Sequence, residues 1–186
     1  MNNLTLPENL EGKIIIYPSS PYGFSESGRY FMENEFIPAI QELGDSIYTL
    51  NPWNFTTEEE VEQIKQIEDP AVQLRGWSEF CTRTFYKNAQ SIEICHLMVA
   101  VLDGLDVDPG VSWEVGYRMG LDKALGKKTP VIGYRSDFRL AGENLGTKIN
   151  LQVGKAIEEY GYPIVKHLDQ AADLIAAEVS KLKQSR

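Results

Sequence analysis

Basic side chains are in short supply in this 186-residue chain: 18 Lys and Arg stand against 27 Asp and Glu, a net charge of −9. Binding along a nucleic-acid backbone needs clustered Lys and Arg that displace condensed counterions. A nucleic-acid polymer is therefore not the expected partner, and a small, modestly charged ligand is. Histidine and cysteine are almost missing. His96 and His167 fall in no His-Glu-x-x-His pattern, and Cys81 and Cys95 in no Cys-x-x-Cys pattern, so no metal site is expected. Two cysteines without a leader-peptide pattern predict reduced thiols in a cytoplasmic protein. The longest apolar run, LMVAVL at 97–102, is far short of the roughly 20 residues a membrane span requires, so no membrane association is expected. Neither the G-x-x-x-x-G-K-[ST] loop nor the G-x-G-x-x-G fingerprint occurs, which removes the two commonest phosphate-cradling signatures.

What is present is enough apolar side chain, 42% of residues, for one compact domain spanning 1–186. KIIIY (13–17) is a β-branched run ending at the polar loop PSSPYGFSESGR and reads as a buried parallel strand. A helix from Ser27 carries Phe31, Phe36, Ile40 and Leu43 at helical spacing, stops at Gly44, and is bent by Pro38. SIYTLNPW (46–53) reads as strand two. The segment 56–95 is helical in two pieces split at Asp69-Pro70, with a capping box from Thr57 to Glu60. HLMVAVLDG (96–104) is strand three, apolar throughout and therefore central; a helix over 109–126 follows. TPVIGY (129–134) and YPIVKH (162–167) supply strands four and five, and residues 168–184 form an amphipathic helix. Strands alternating with helices predict an α/β three-layer sandwich, flavodoxin-like or Rossmann-like, on a five-stranded parallel sheet. Ligands of such sheets bind beyond the carboxyl ends of the strands, which singles out the loops 18–29, 103–110 and 136–150.

The second of these loops leads into DPGVSWEVGYRMG (108–120). Asp108 before Pro109 is a good N-cap followed by a good first helical residue, and acidic residues are favoured near helix N-termini in any case. On spacing alone Glu114 is more readily a solvated helix carboxylate than a functional one. Val111, Trp113, Val115 and Met119 read as core.

The combination decides more than any single residue. A strand ending in Tyr17, then YGFSESGR, MVAVLDGLDVDPGVSWEVGYRMG, TPVIGYRSDFR and INLQ, resembles the nucleoside 2-deoxyribosyltransferase family over 13–151. The family's Asp, Gly and Glu-x-Gly-Tyr core is matched by Asp108, Gly110, Glu114, Gly116 and Tyr117. The resemblance implies transfer of a 2-deoxyribosyl group between nucleobases through a covalent glycosyl-enzyme on Glu114, with a deoxynucleoside and a free base as substrates and no cofactor. It makes Tyr17 the residue that orients Glu114, Asp108 the holder of sugar hydroxyls and Phe24 a platform near the base. Asn150 would enter a neighbouring subunit's site in a homo-oligomer, with Gln152 where a methionine is common. An oxocarbenium-like transition state trapped by a carboxylate is the chemistry such a glutamate performs.

One position departs from that pattern. Where the family has an aspartate that manages the proton on the departing base, this chain has Asn88, which hydrogen-bonds but is no general acid; Asp103, Asp106 and Glu93 are the carboxylates near enough in sequence to replace it. Two other readings stay open. Ser19, Ser20 and Ser25 with Arg29 would form a phosphate cradle in an N-glycoside hydrolase of deoxynucleosides or their 5′-monophosphates. A nucleotide-sensing domain that has lost turnover is the other.

Overall fold

The computed structural model describes residues 10–185. Five parallel strands, β1 (Ile14–Ser19), β2 (Ile47–Thr49), β3 (Leu97–Val101), β4 (Val131–Tyr134) and β5 (Ile164–Val165), form one sheet in the order β2-β1-β3-β4-β5. This is the flavodoxin-like order. Its chain path reverses direction between β1 and β3, so the crevice at their carboxyl ends is the place where such sheets bind ligands.

Period-two alternation sorts the strand residues between two helical layers. Ile14 and Ile16 of β1, with Leu97, Val99 and Val101 of β3, pack on the helical segment that follows β1 and on α7 (Leu168–Gln184). Ile15 and Tyr17, with Met98 and Ala100, face α4 (Pro70–Ile94), α5 (Pro109–Leu125) and α6 (Leu151–Glu159). Tyr17 therefore points toward α5 because of its parity in β1, and Ser19, two residues on, shares that face.

Several elements differ from the sequence expectation. β1 runs through Pro18 to Ser19, two residues beyond the expected end. Ile14 and Ile16 make their ladder bonds on the β2 side, so the N–H that Pro18 lacks would face past Thr49, where β2 has already ended. The helix after β1 starts at Glu26 and consists of α1 (Glu26–Phe31), a π-helical turn (Met32–Phe36) and α2 (Ile37–Gln41). The bend expected at Pro38 thus takes the form of a π-bulge one turn upstream, where the proline ring would crowd the carbonyl of residue 34. Of the capping box at α3 (Glu58–Lys65), only half forms: Thr57 Oγ1 accepts from Glu60 N at 3.1 Å, while the Glu60 carboxylate accepts from Arg83 instead. The helical segment is split at Asp69-Pro70 as expected, and Asp69 caps α4, accepting from Ala71 N and Val72 N. Helix α6 was not anticipated; it supplies the crossover from β4 to β5, with Asn150 as its cap and Val153 and Ile157 buried.

Candidate active site

Glu114 sits in the second turn of α5, and that helix is oriented by unusually polar anchors. Arg118 and Asp122 continue its buried face at one-turn intervals. Arg118 donates to the Ile92 carbonyl at the end of α4 at 2.7 Å and to Asp122 at 2.5 Å, and Asp122 in turn accepts from Thr129 N at 2.8 Å. These bonds lock the rotation of α5 about its axis. At the helix start Asp108 Oδ1 accepts from Val111 N at 3.1 Å. A Cβ on Gly110 would lie 2.9 Å from that same oxygen, so glycine keeps the cap intact.

The rotation aims Glu114 at the carboxyl end of β1. Tyr17 Oη donates to Glu114 Oε1 at 2.7 Å, and Ser19 Oγ donates to Oε2. Tyr17 and Ser19 are fully buried and Glu114 is 8% exposed. Burial pushes the Glu114 carboxyl above its ordinary value near 4.5; the Ser19 and Tyr17 hydrogen bonds pull it back, and the Asp108 charge adds to the rise. Burial, reinforced by the adjacent carboxylate, also holds the Tyr17 phenol well above its usual range, so it remains a donor. A carboxylate so placed keeps lone pairs for a ligand while both oxygens stay fixed.

A cleft of about 270 Å³ opens over this pair and is lined by Glu114, Asp108, Gly110, Asn88 and Phe24. Ser20 lines it as well, so the structure brings together six of the candidate residues singled out from sequence. Asp108 is both the cap and a cleft residue: Oδ1 is used by the helix, and Oδ2 has no partner among the described residues. Phe24 is 75% exposed at the rim and meets Trp53 edge-on with ring centroids 4.8 Å apart.

Other sequence candidates fall elsewhere. Arg29 lines a separate cavity of about 640 Å³ beyond Trp53, together with Glu58, Glu62 and Lys65. Asp103 binds the loops together rather than facing the cleft, accepting from Tyr22 Oη, Ser136 Oγ and, at 2.8 Å, Asp137 N. Asn150 caps α6, accepting from Gln152 N at 3.0 Å, and its amide donates to Glu143 at 2.5 Å; Gln152 is exposed on the first turn. Neither lines the cleft of its own chain. Of the three serines expected as a phosphate cradle, Ser19 Oγ donates to Glu114, whereas Ser20 Oγ accepts from Tyr22 N and Ser25 Oγ accepts from Gly28 N, bonds that do not use their own O–H donors. Arg29 lines the neighbouring cavity, whereas Ser20 lines the cleft itself.

Trp113, expected in the core, is 41% exposed and stacks on Tyr117 with centroids 4.9 Å apart. The cleft also contains residues that sequence reasoning passed over: Trp53, Phe80 and Thr84. The Phe80, Thr84, Asn88 spacing at four-residue intervals was a readable signal, since it places all three on one stripe of α4. Among the described residues no helix is long and apolar enough to cross a membrane, and no group of His, Cys, Asp and Glu is clustered to hold a metal ion.

The model of the nucleoside 2-deoxyribosyltransferase family matches residues 16–152. No curated protein sequence matches the chain. Among solved structures, a conserved protein from Enterococcus faecalis V583 superposes with a TM-score of 0.58 at 21% identity, covering 88% of this chain and 97% of its own. A 2-desoxiribosyltransferase from Leishmania mexicana gives a TM-score of 0.58 at 19% identity over 88% of this chain and 97% of its own. The 2-deoxyribosyltransferase from Bacillus psychrosaccharolyticus gives 0.57 at 17% identity, over 85% and 90%. At these identities the structural likeness concerns the fold.

Proposed function

Because the chain belongs to the nucleoside 2-deoxyribosyltransferase family, we propose that it transfers a 2-deoxyribosyl group from one nucleobase to another through a glycosyl ester on Glu114. The observation that carries this reading is the buried carboxylate of Glu114, clamped by Tyr17 and Ser19 at the floor of a cleft wide enough for a nucleoside.

The steps follow from the groups present. One Glu114 oxygen attacks C1′ as the C1′–N bond breaks, and the base leaves with the bonding pair. Donation from Tyr17 and Ser19 holds the carboxylate in one orientation, so little reorganisation accompanies attack. Asp108 Oδ2 accepts from a sugar hydroxyl. Phe24 and Trp53 flank the base, and Asn88 hydrogen-bonds its edge without supplying a proton, so the departing base takes its proton from water. A second base then attacks C1′ through a ring nitrogen, Glu114 leaves as carboxylate, and the new nucleoside loses the nitrogen's proton to solvent. The cycle is ping-pong and uses neither metal nor organic cofactor.

Water attacking the same ester would release the sugar, which makes hydrolysis the competing outcome; the Asn88 substitution is what favours keeping it in view. The deciding experiment incubates the protein with deoxyinosine and free adenine. Appearance of deoxyadenosine supports transfer, hypoxanthine alone indicates hydrolysis, and binding without either product indicates a sensor. A 2-fluoro-substituted deoxynucleoside should leave a sugar adduct on the peptide containing Glu114; an adduct on another residue would sink the assignment.

A further inference from the structure

Phe24 is the most exposed aromatic ring of the cleft, and among the described residues its one ring contact is the edge-on meeting with Trp53. A ring so exposed is not held by its own packing; its place is set by the 3-10 turn Tyr22–Phe24 that carries it. A single side-chain hydrogen bond ties that turn to the loop after β3: Tyr22 Oη donates to Asp103 Oδ2. Among the described residues no other side-chain bond joins residues 20–25 to 102–108. Burial, reinforced by the Asp103 carboxylate, holds the Tyr22 phenol above its ordinary value, so it stays a donor. Its ring meets Phe31 edge-on with centroids 5.6 Å apart, a contact that does not involve the hydroxyl.

Asp103 is itself gripped from both sides. Its carboxylate also accepts from Ser136 Oγ and, at 2.8 Å, from Asp137 N. The peptide groups flanking it are held by Arg135 at the end of β4, whose guanidinium donates to the Leu102 carbonyl and, at 3.0 Å each, to the carbonyls of Gly104 and Arg139. Arg135 is 2% exposed and makes no ion pair among the described residues. A buried cation without a carboxylate is costly; in return its rigid fork of donors fixes the backbone on both sides of Asp103.

We propose that Asp103 is a positioning residue for the nucleobase: through Tyr22 it holds the Tyr22–Phe24 turn, and with it the Phe24 ring, where a base packs. That the ligand is a nucleobase rests on the transfer reading above. Asp103 touches no substrate. The chain of contacts runs from Arg135 through the 102–104 backbone and the Asp103 carboxylate to Tyr22 and the rim of the cleft, and it bypasses Glu114, Tyr17 and Ser19, which are placed by β1 and α5. Breaking it therefore weakens binding and leaves the chemical step alone.

Tyr22→Phe tests this by removing one O–H and keeping the ring. In the ligand-free protein, amide hydrogen exchange should quicken in the segment around Phe24 and stay unchanged in β1, β3 and α5. With deoxyinosine and adenine as substrates, KM for deoxyinosine should rise by about tenfold, the contribution of one base stacked on an aromatic ring, with kcat unchanged. Asp103→Asn, which keeps the size and removes the charge, should move both readouts the same way. In a Phe24→Leu protein Tyr22→Phe should add nothing to KM, because the ring that Tyr22 places is gone; a merely structural role would cost the same in both backgrounds. Unchanged amide exchange near Phe24, a fall in kcat with KM unmoved, or equal costs in the two backgrounds overturns the proposal. If the wild type makes no deoxyadenosine, the transfer reading fails, and the calorimetric affinity of the same proteins for deoxyinosine decides the role of Asp103 in place of KM, absence of any affinity overturning it too. Deoxyadenosine formed with KM and amides unmoved in Tyr22→Phe sinks the proposal and leaves the transfer reading standing.

Discussion

Tyr17 and Glu114 stand 97 positions apart in the chain, yet the phenol of one donates to the carboxylate of the other at 2.7 Å in a fully buried contact. The bond joins the inner strand β1 to helix α5 at the crevice where the chain path of the sheet reverses. It restrains the Glu114 carboxylate and lowers the cost of its charge.

Tyr17→Phe removes that donor and little else. A hydrogen bond to a charged group contributes about 1.5–3 kcal/mol, so kcat should fall by roughly 10- to 100-fold with the fold retained. The bond also pulls the Glu114 carboxyl down against the effect of burial. Its loss should therefore move the acid limb of the kcat profile to higher pH; an unmoved limb would show that Tyr17 does not touch the nucleophile's titration.

The proposed mechanism requires ionised Glu114, whose carboxyl burial holds above its ordinary value. Activity should accordingly decline on acidification at a pH above that of a free carboxylate. The same shift has a stability consequence: the native state binds this proton more tightly than the unfolded chain, so the contribution of Glu114 to stability diminishes as pH rises from the ordinary to the raised value. Glu114→Gln carries no such loss. Its Tm should match wild type at acidic pH and exceed it at neutral pH, while turnover falls on the order of 10⁴-fold or more. Thermal unfolding of both proteins across that range checks the sign.

Asn88→Asp places a proton carrier beside the departing base. General-acid help is worth about 10²–10⁴-fold, and the gain should be largest for bases that leave poorly. Because the new carboxyl acts only when protonated, the gain should disappear as pH rises through its titration. Equal profiles for both proteins on a purine and a pyrimidine deoxynucleoside would place Asn88 outside the proton path.

Gly23→Ala would set a methyl 1.9 Å from the Trp53 ring, which is itself tied by Nε1 to the Ser20 carbonyl at 3.1 Å. Trp53 must move, and with it one wall of the cleft. Overpacking of this kind costs about 1–3 kcal/mol, read from the denaturation midpoint, and KM should rise more than kcat falls.

Shared sites in a homo-oligomer predict complementation between two inactive proteins. Asn150→Ser preserves an N-cap on α6 while removing the amide, and mixing it with Glu114→Ala should restore up to about a quarter of wild-type activity for a dimer. Subunit exchange without recovered activity would show that Asn150 serves its own chain as a cap and no neighbouring site.

Local chemistry was enough to settle much of this protein. The β-branched run at 14–16, the apolar stretch at 97–101, the Asp108-Pro109 and Asp69-Pro70 helix starts and the helical spacing of the last helix each specify their element through interactions within a few residues. The strand and helix alternation then dictated the parallel sheet. Glu114, Asp108 and Gly110 could be singled out because the family signature they match lies at a short, fixed spacing in one turn and helix, and the structure brings all three to one cleft. What remained hidden depended on how distant elements pack. Asp103 and Arg29 carry the right chemistry in the right loops, but the first is consumed by Tyr22, Ser136 and Asp137, and the second is turned toward another cavity. Thr84 looked like any helical threonine until the packing of α4 made it a cleft-lining residue whose hydroxyl is buried without a partner among the described residues. Sequence spacing determines which side chains share a face, whereas the contact that either spends or frees a polar group forms only when the layers close on one another.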